Sequence, residues 1–104
     1  MAIKSSYKKQ LLAIIDKHLP SCTVYLFGSR ATEKQRQGSD IDLALDAKKE
    51  IPYRTLLAIE VDIEETTIPL HVDLIDLATA DDVIKQEILQ KGIVWERLNT
   101  KKQS

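Results

Sequence analysis

Gly28-Ser29-Arg30-Ala31-Thr32-Glu33-Lys34-Gln35-Arg36-Gln37-Gly38-Ser39-Asp40-Ile41-Asp42-Leu43-Ala44-Leu45-Asp46 is the stretch whose reading decides the fold. It opens where an apolar run, Val24 to Phe27, stops at a glycine, and it closes in an alternation of acidic and apolar residues. From Asp40 the alternation is strict. Ile41, Leu43 and Leu45 fall on one side and Asp40, Asp42, Ala44 and Asp46 on the other, the period of a strand with one buried face. Thr23 to Phe27, β-branched and aromatic, is a strand ended by Gly28. Arg30 to Gln37 is polar and reads as one short helix followed by a loop, with Gly38-Ser39 a turn. The linking residues serve mainly to bring the two strand ends together.

Upstream, Tyr7, Leu11, Ile14, Ile15 and His18 recur at threes and fours, which predicts an amphipathic helix over Ser5 to His18. Ser5 or Ser6 can cap its start and Pro20 ends it. Lys4, Lys8, Lys9 and Lys17 lie off the apolar stripe, on the solvated face. Downstream, Lys48 to Glu50 is a charged connector and Pro52 suits the first turn of a helix. Tyr53, Leu56, Leu57, Ala58 and Val61 fit that helix to about Glu65, although Ile59 to Glu64 also alternates with period two. Thr66 to Pro69 is a break, and Leu70 to Leu77 a third strand carrying Asp73 and Asp76. Thr79 is the expected N-cap of a last helix, with Asp81 and Asp82 in its first turn and Gly92 as its C-cap. Ile93 to Trp95 makes a short final strand, and 98–104 a frayed tail.

These elements alternate as in an α/β domain. At 104 residues, 43% hydrophobic and 30% charged, the chain is expected to be one globular domain over 1–104. Its core must be aliphatic, since Phe27 is the only Phe and Trp95 the only Trp. Fifteen basic and 16 acidic side chains nearly cancel, so there is no strong nucleic-acid signal. Cys22 is the only cysteine, which excludes an intrachain disulfide and a cysteine metal cluster, and it reads as a buried thiol. No apolar run approaches the ~20 residues of a membrane span, and no signal-peptide core is visible, so a cytoplasmic location is expected.

Asp40 and Asp42, two apart on a strand, project from one face with Cα atoms about 6.6 Å apart. Carboxylates so placed can converge on divalent ions, and Asp73 can join them from a neighbouring strand. Three clustered carboxylates resist full ionisation unless a cation neutralises them. Mg²⁺ prefers such hard oxygen ligands and keeps substrate phosphates in its shell. At the other end, Gly28 lets backbone approach a phosphate, Ser29 adds a hydroxyl donor, and a helical turn opening at Arg30 would aim N–H groups at an anion. Arg30, Lys34 and Arg36 can supply counter-charge. Each piece alone has a bland reading: an exposed strand face, a turn, a single strand acid. Together they describe a site for a nucleoside triphosphate with Mg²⁺, where a hydroxyl attacks the α-phosphate in line and pyrophosphate leaves.

Gly28-Ser29, ten residues, Asp40-Ile41-Asp42 and a later Val72-Asp73-Leu74 resemble the DNA polymerase β-type nucleotidyltransferase superfamily. Phe27-Gly28-Ser29-Arg30-Ala31 followed by Ser39-Asp40-Ile41-Asp42-Leu43 is similar to its minimal nucleotidyltransferase branch, and the likeness extends from about Ser5 to Trp95. The resemblance implies a mixed β-sheet with helices packed on one face and the site on the other. It implies that Gly28 and Ser29 hold the triphosphate, with Arg30 and Ser39 beside them in the nucleotide subsite. Asp40, Asp42 and Asp73 would be the catalytic carboxylates and the ligands of two Mg²⁺ ions. Asp76 points to the opposite face from Asp73 and receives no role. His71 shares a face with Asp73, where a structural histidine is favoured over a substrate contact.

Larger members of the superfamily close their site with a second domain, so a separately encoded partner is expected here, in a homo- or hetero-oligomer. In the minimal branch such partners are small helical proteins, either HEPN-type toxins or substrate-binding subunits. The implied function is transfer of AMP from ATP to a hydroxyl of that partner, as in antitoxins of toxin–antitoxin pairs. The alternative is a non-catalytic antitoxin or nucleotide-binding subunit that masks its partner.

Overall fold

The structure, a computed structural model, describes residues 4–28 and 40–95. Helix α1 (Ser5–His18) leads into strand β1 (Thr23–Phe27), which pairs antiparallel with β2 (Ile41–Asp46). Helix α2 (Tyr53–Glu64) then carries the chain to β3 (Val72–Asp76), parallel to β2. Helix α3 (Asp82–Lys91) precedes β4 (Ile93–Trp95), which returns antiparallel to β1. The strands form one mixed sheet in the order β3-β2-β1-β4. The parallel β2–β3 pair needs a crossover connection, which α2 supplies.

The period-two pattern of β2 decides which way the sheet faces. Ile41, Leu43 and Leu45, with Val24 and Leu26 of β1, are buried against Leu11 and Ile15 of α1 and Ile59 and Ile63 of α2. Cys22 and Trp95 close the same core. The two helices are also tied through Asp62, whose Oδ2 lies 2.7 Å from His18 Nε2 and 3.5 Å from Lys17 Nζ. The other face of the sheet is divided. Near its far end Ala44 is fully buried beneath Leu77 and Ile88, so α3 packs there, a contact the small alanine side chain admits. Nearer the start of β2 the same face carries Asp42, exposed enough to do chemistry.

Three caps differ from expectation. Lys4, not a serine, occupies the N-cap of α1, with no side-chain hydrogen bond. Pro52 stands just ahead of α2 rather than inside its first turn. Asp76 accepts hydrogen bonds from the backbone N–H of Ala78 and Ile51, at 3.1 and 2.8 Å, which coils Leu77–Thr79 into a 3₁₀ turn. That turn drops Leu77 into the core and delays α3, whose N-cap is therefore Asp81 and not Thr79; Asp81 Oδ1 accepts from Ile84 N at 2.9 Å. The expected helix after Arg30 and the expected tail fall outside the described residues. Among the described residues no helix is long and apolar enough to cross a membrane.

Candidate functional site

β1 delivers Gly28, β2 delivers Asp40 and Asp42, and β3 delivers Asp73, all to one end of the sheet. The register makes this convergence: Asp42 pairs with Phe27 across the antiparallel ladder and with Asp73 across the parallel one. Asp40 stands one residue ahead of β2. Directly after it, the N–H of Ile41 donates to the carbonyl of His71 at 2.9 Å, which clamps the start of β2 to the approach to β3.

Gly28 is required where it stands. Its φ is +77°, a region that L side chains rarely adopt, and a Cβ there would collide with Asp42 Oδ2. Backbone and carboxylate thus approach as closely as they do because the intervening side chain is only a hydrogen.

Burial pushes the Asp42 carboxyl above the usual carboxylate range, and the charges of Asp73 and then Asp40 push it the same way. A hydrogen bond between the Asp42 and Asp73 carboxyls adds to this, while His71 opposes it. His71, expected to be structural, stands at the surface. Its side chain is 65% exposed and its Nε2 lies 2.8 Å from Asp73 Oδ1. That hydrogen bond raises the imidazole above its ordinary pKa, with the Asp73 charge next and Asp40 and Glu60 adding their fields. The shared face of residues 71 and 73 is visible in the sequence, whereas the hydrogen bond between them is not.

Among the described residues no three His, Cys, Asp or Glu side chains stand as a ready metal cage. Asp73 is instead hydrogen-bonded to His71, and its charge bears on Asp42. The donor set nevertheless fits a hard divalent cation: carboxylate oxygens on adjacent strands, with the repulsion that raises Asp42. Ser29, Arg30 and Ser39, expected beside the phosphates, lie outside the described residues. Asp76 is buried on the opposite face and engaged by two backbone N–H groups, a structural latch. A cleft of about 350 Å³ opens beside Asp73, between the last turn of α2 and the segment entering β3.

The Polymerase beta, Nucleotidyltransferase family model matches residues 9–98. The chain is 32% identical over 92 residues to a Haemophilus influenzae protein named "Probable protein adenylyltransferase MntA", spanning 88% of this chain and 80% of that one. Its fold is similar to a crystal structure of a toxin-antitoxin with AMP-PNP, with TM-score 0.73 and 25% identity over 88% of this chain and 74% of the other. It is also similar in fold to a chain of the complex of a tri-AMPylated Shewanella oneidensis HEPN toxin with MNT antitoxin, with TM-score 0.70 and 22% identity over 91% and 74% of the two chains.

Proposed function

The chain belongs to the Polymerase beta, Nucleotidyltransferase family, and from that premise we propose that it transfers AMP from ATP to a hydroxyl of a small helical partner protein. The convergence of Asp40, Asp42 and Asp73 beside Gly28 carries this reading. The name of the Haemophilus relative supports adenylyl as the transferred group. The HEPN complex supports a HEPN-type toxin as the partner, ahead of a substrate-binding subunit.

Gly28, lacking a side chain, lets a phosphate oxygen approach the backbone, and Ser29, Arg30 and Ser39 supply donors and positive charge around it. Two Mg²⁺ ions, held by Asp40, Asp42 and Asp73, would neutralise the triphosphate and lower the pKa of the attacking hydroxyl. Asp73 orients that hydroxyl and draws off its proton, and His71 holds the Asp73 carboxylate in place. The hydroxyl oxygen forms its bond to the α-phosphorus as the bond to the pyrophosphate oxygen breaks on the opposite side.

The test is incubation of the chain, Mg²⁺ and the protein encoded by the neighbouring gene with ATP labelled on its α-phosphate. Label on the neighbour that disappears with Asp40→Asn or Asp42→Asn supports the enzyme. Neutralisation of the neighbour by the wild type and both variants alike, with no label transferred, replaces it with a masking antitoxin.

A further inference from the structure

One face of α2 points to how the acceptor is held. Tyr53, Leu57, Glu60 and Glu64 recur at i, i+4, i+7 and i+11, which puts them in line along one side of the helix. Tyr53 is 77% and Leu57 44% exposed, so the line begins as an exposed apolar strip. It ends at Glu60 and Glu64, which line the cleft that opens on Asp73. The far wall, Ile68 to Leu70, is apolar.

Among the described residues the two glutamates gain little from the isolated fold, Glu60 adding only its field to His71. A helix C-terminus is the negative end of the macrodipole and favours cations, yet the last turn of α2 has no basic residue. Among the described residues neither glutamate has an ion pair, whereas Asp62 of the same helix takes Lys17 and His18 of α1. Among the described residues the cleft is lined by no Lys or Arg, and His71 is its one basic group. A triphosphate is repelled from such a place and a cationic group is drawn to it. The sheet order adds direction. Gly28 follows β1 and the cleft flanks β3, on opposite sides of β2, and an in-line displacement needs attacking and leaving oxygens on opposite sides of phosphorus.

We propose that this α2 face and the cleft at its end form the acceptor groove: a basic segment of the acceptor protein lies along Tyr53 and Leu57 and seats a Lys or Arg between Glu60 and Glu64, bringing an adjacent hydroxyl to Asp73. This rests on the nucleotidyl-transfer reading above and adds the charge of the acceptor and the place where it docks.

The experiment uses two fluorescent peptides of equal length, each with a central Ser and Tyr, flanked by arginines in one and glutamates in the other. Anisotropy on the full chain without nucleotide reads binding. The arginine peptide is expected to bind at least about tenfold tighter at low salt, the scale of two exposed charge pairs. The double variant Glu60→Lys/Glu64→Lys should reverse that preference, and Leu57→Ser should weaken the arginine peptide without reversing it. The lysines suit a helix C-terminus, so a thermal melt of the double variant should stand no lower than that of the wild type. Equal binding of the two peptides, binding of neither, or an arginine preference that survives the double reversal overturns the groove. AMP-PNP with Mg²⁺, titrated separately into the wild type, isolates the parent reading. Loss of nucleotide binding with peptide selectivity intact would sink nucleotidyl transfer and leave the groove standing.

Discussion

Asp42 and Asp73 face each other across the parallel β2–β3 ladder, where the charge of Asp73 bears on the Asp42 carboxyl. Burial first, then Asp73 and Asp40, raise the Asp42 pKa above its unfolded value. A carboxyl raised in this way favours the folded state while protonated. That stability is fully present below the unfolded pKa and is lost as pH rises through the higher folded one. In EDTA at pH 7, Asp42→Asn is therefore expected to melt above the wild type, and the advantage should vanish in mild acid. The measurement is a pair of melting curves at the two pH values.

Asp73 also holds His71. The imidazole is raised by its hydrogen bond to Asp73 and by that carboxylate's charge, so its small contribution to stability is present below its unfolded pKa and lost as pH rises through the folded one. Titrated by NMR, the His71 ring signals should move at a higher pH than those of an ordinary histidine. In Asp73→Asn the midpoint should fall towards the ordinary value. An unchanged midpoint would break the pairing.

Gly28→Ala separates activity from folding. The new Cβ meets the mobile end of the Asp42 side chain at a positive φ, so the stability loss should be about 1–2 kcal/mol. Transfer should fall by roughly a hundredfold or more, because the carboxylate must move to make room. Circular dichroism melts and initial rates together check this.

Asp76→Ala does the reverse. It strips a buried carboxylate from the N–H groups of Ile51 and Ala78 and should cost about 2–4 kcal/mol. Below its melting temperature the variant should retain most of its transfer rate, since Asp76 faces away from Asp42 and Asp73. Urea unfolding and a rate at low temperature test the two halves.

Much of this was legible beforehand, and for physical reasons. The 3.6 period of Leu11, Ile15 and His18 marks α1 from Ser5 to His18, and the period-two pattern from Asp40 marks β2 and the side its acids take. Capping is less legible. Thr79 has the right chemistry for an N-cap, but Asp76 captures the backbone first and moves the helix start to Asp82. Ala44 reads as part of a polar face; only α3 folding back over the sheet shows why it is small and buried. The sequence favours a structural role for His71; its tie to Asp73 shows only once β3 is placed at the edge of the sheet.

The measurement that bears most directly on the transferase is the intact mass of the neighbouring gene product after co-expression with this chain. With the wild type it should gain one or more adenylyl masses, and with Asp42→Asn none. A neighbour that stays unmodified yet is neutralised equally by both would contradict transfer and leave a masking antitoxin in its place.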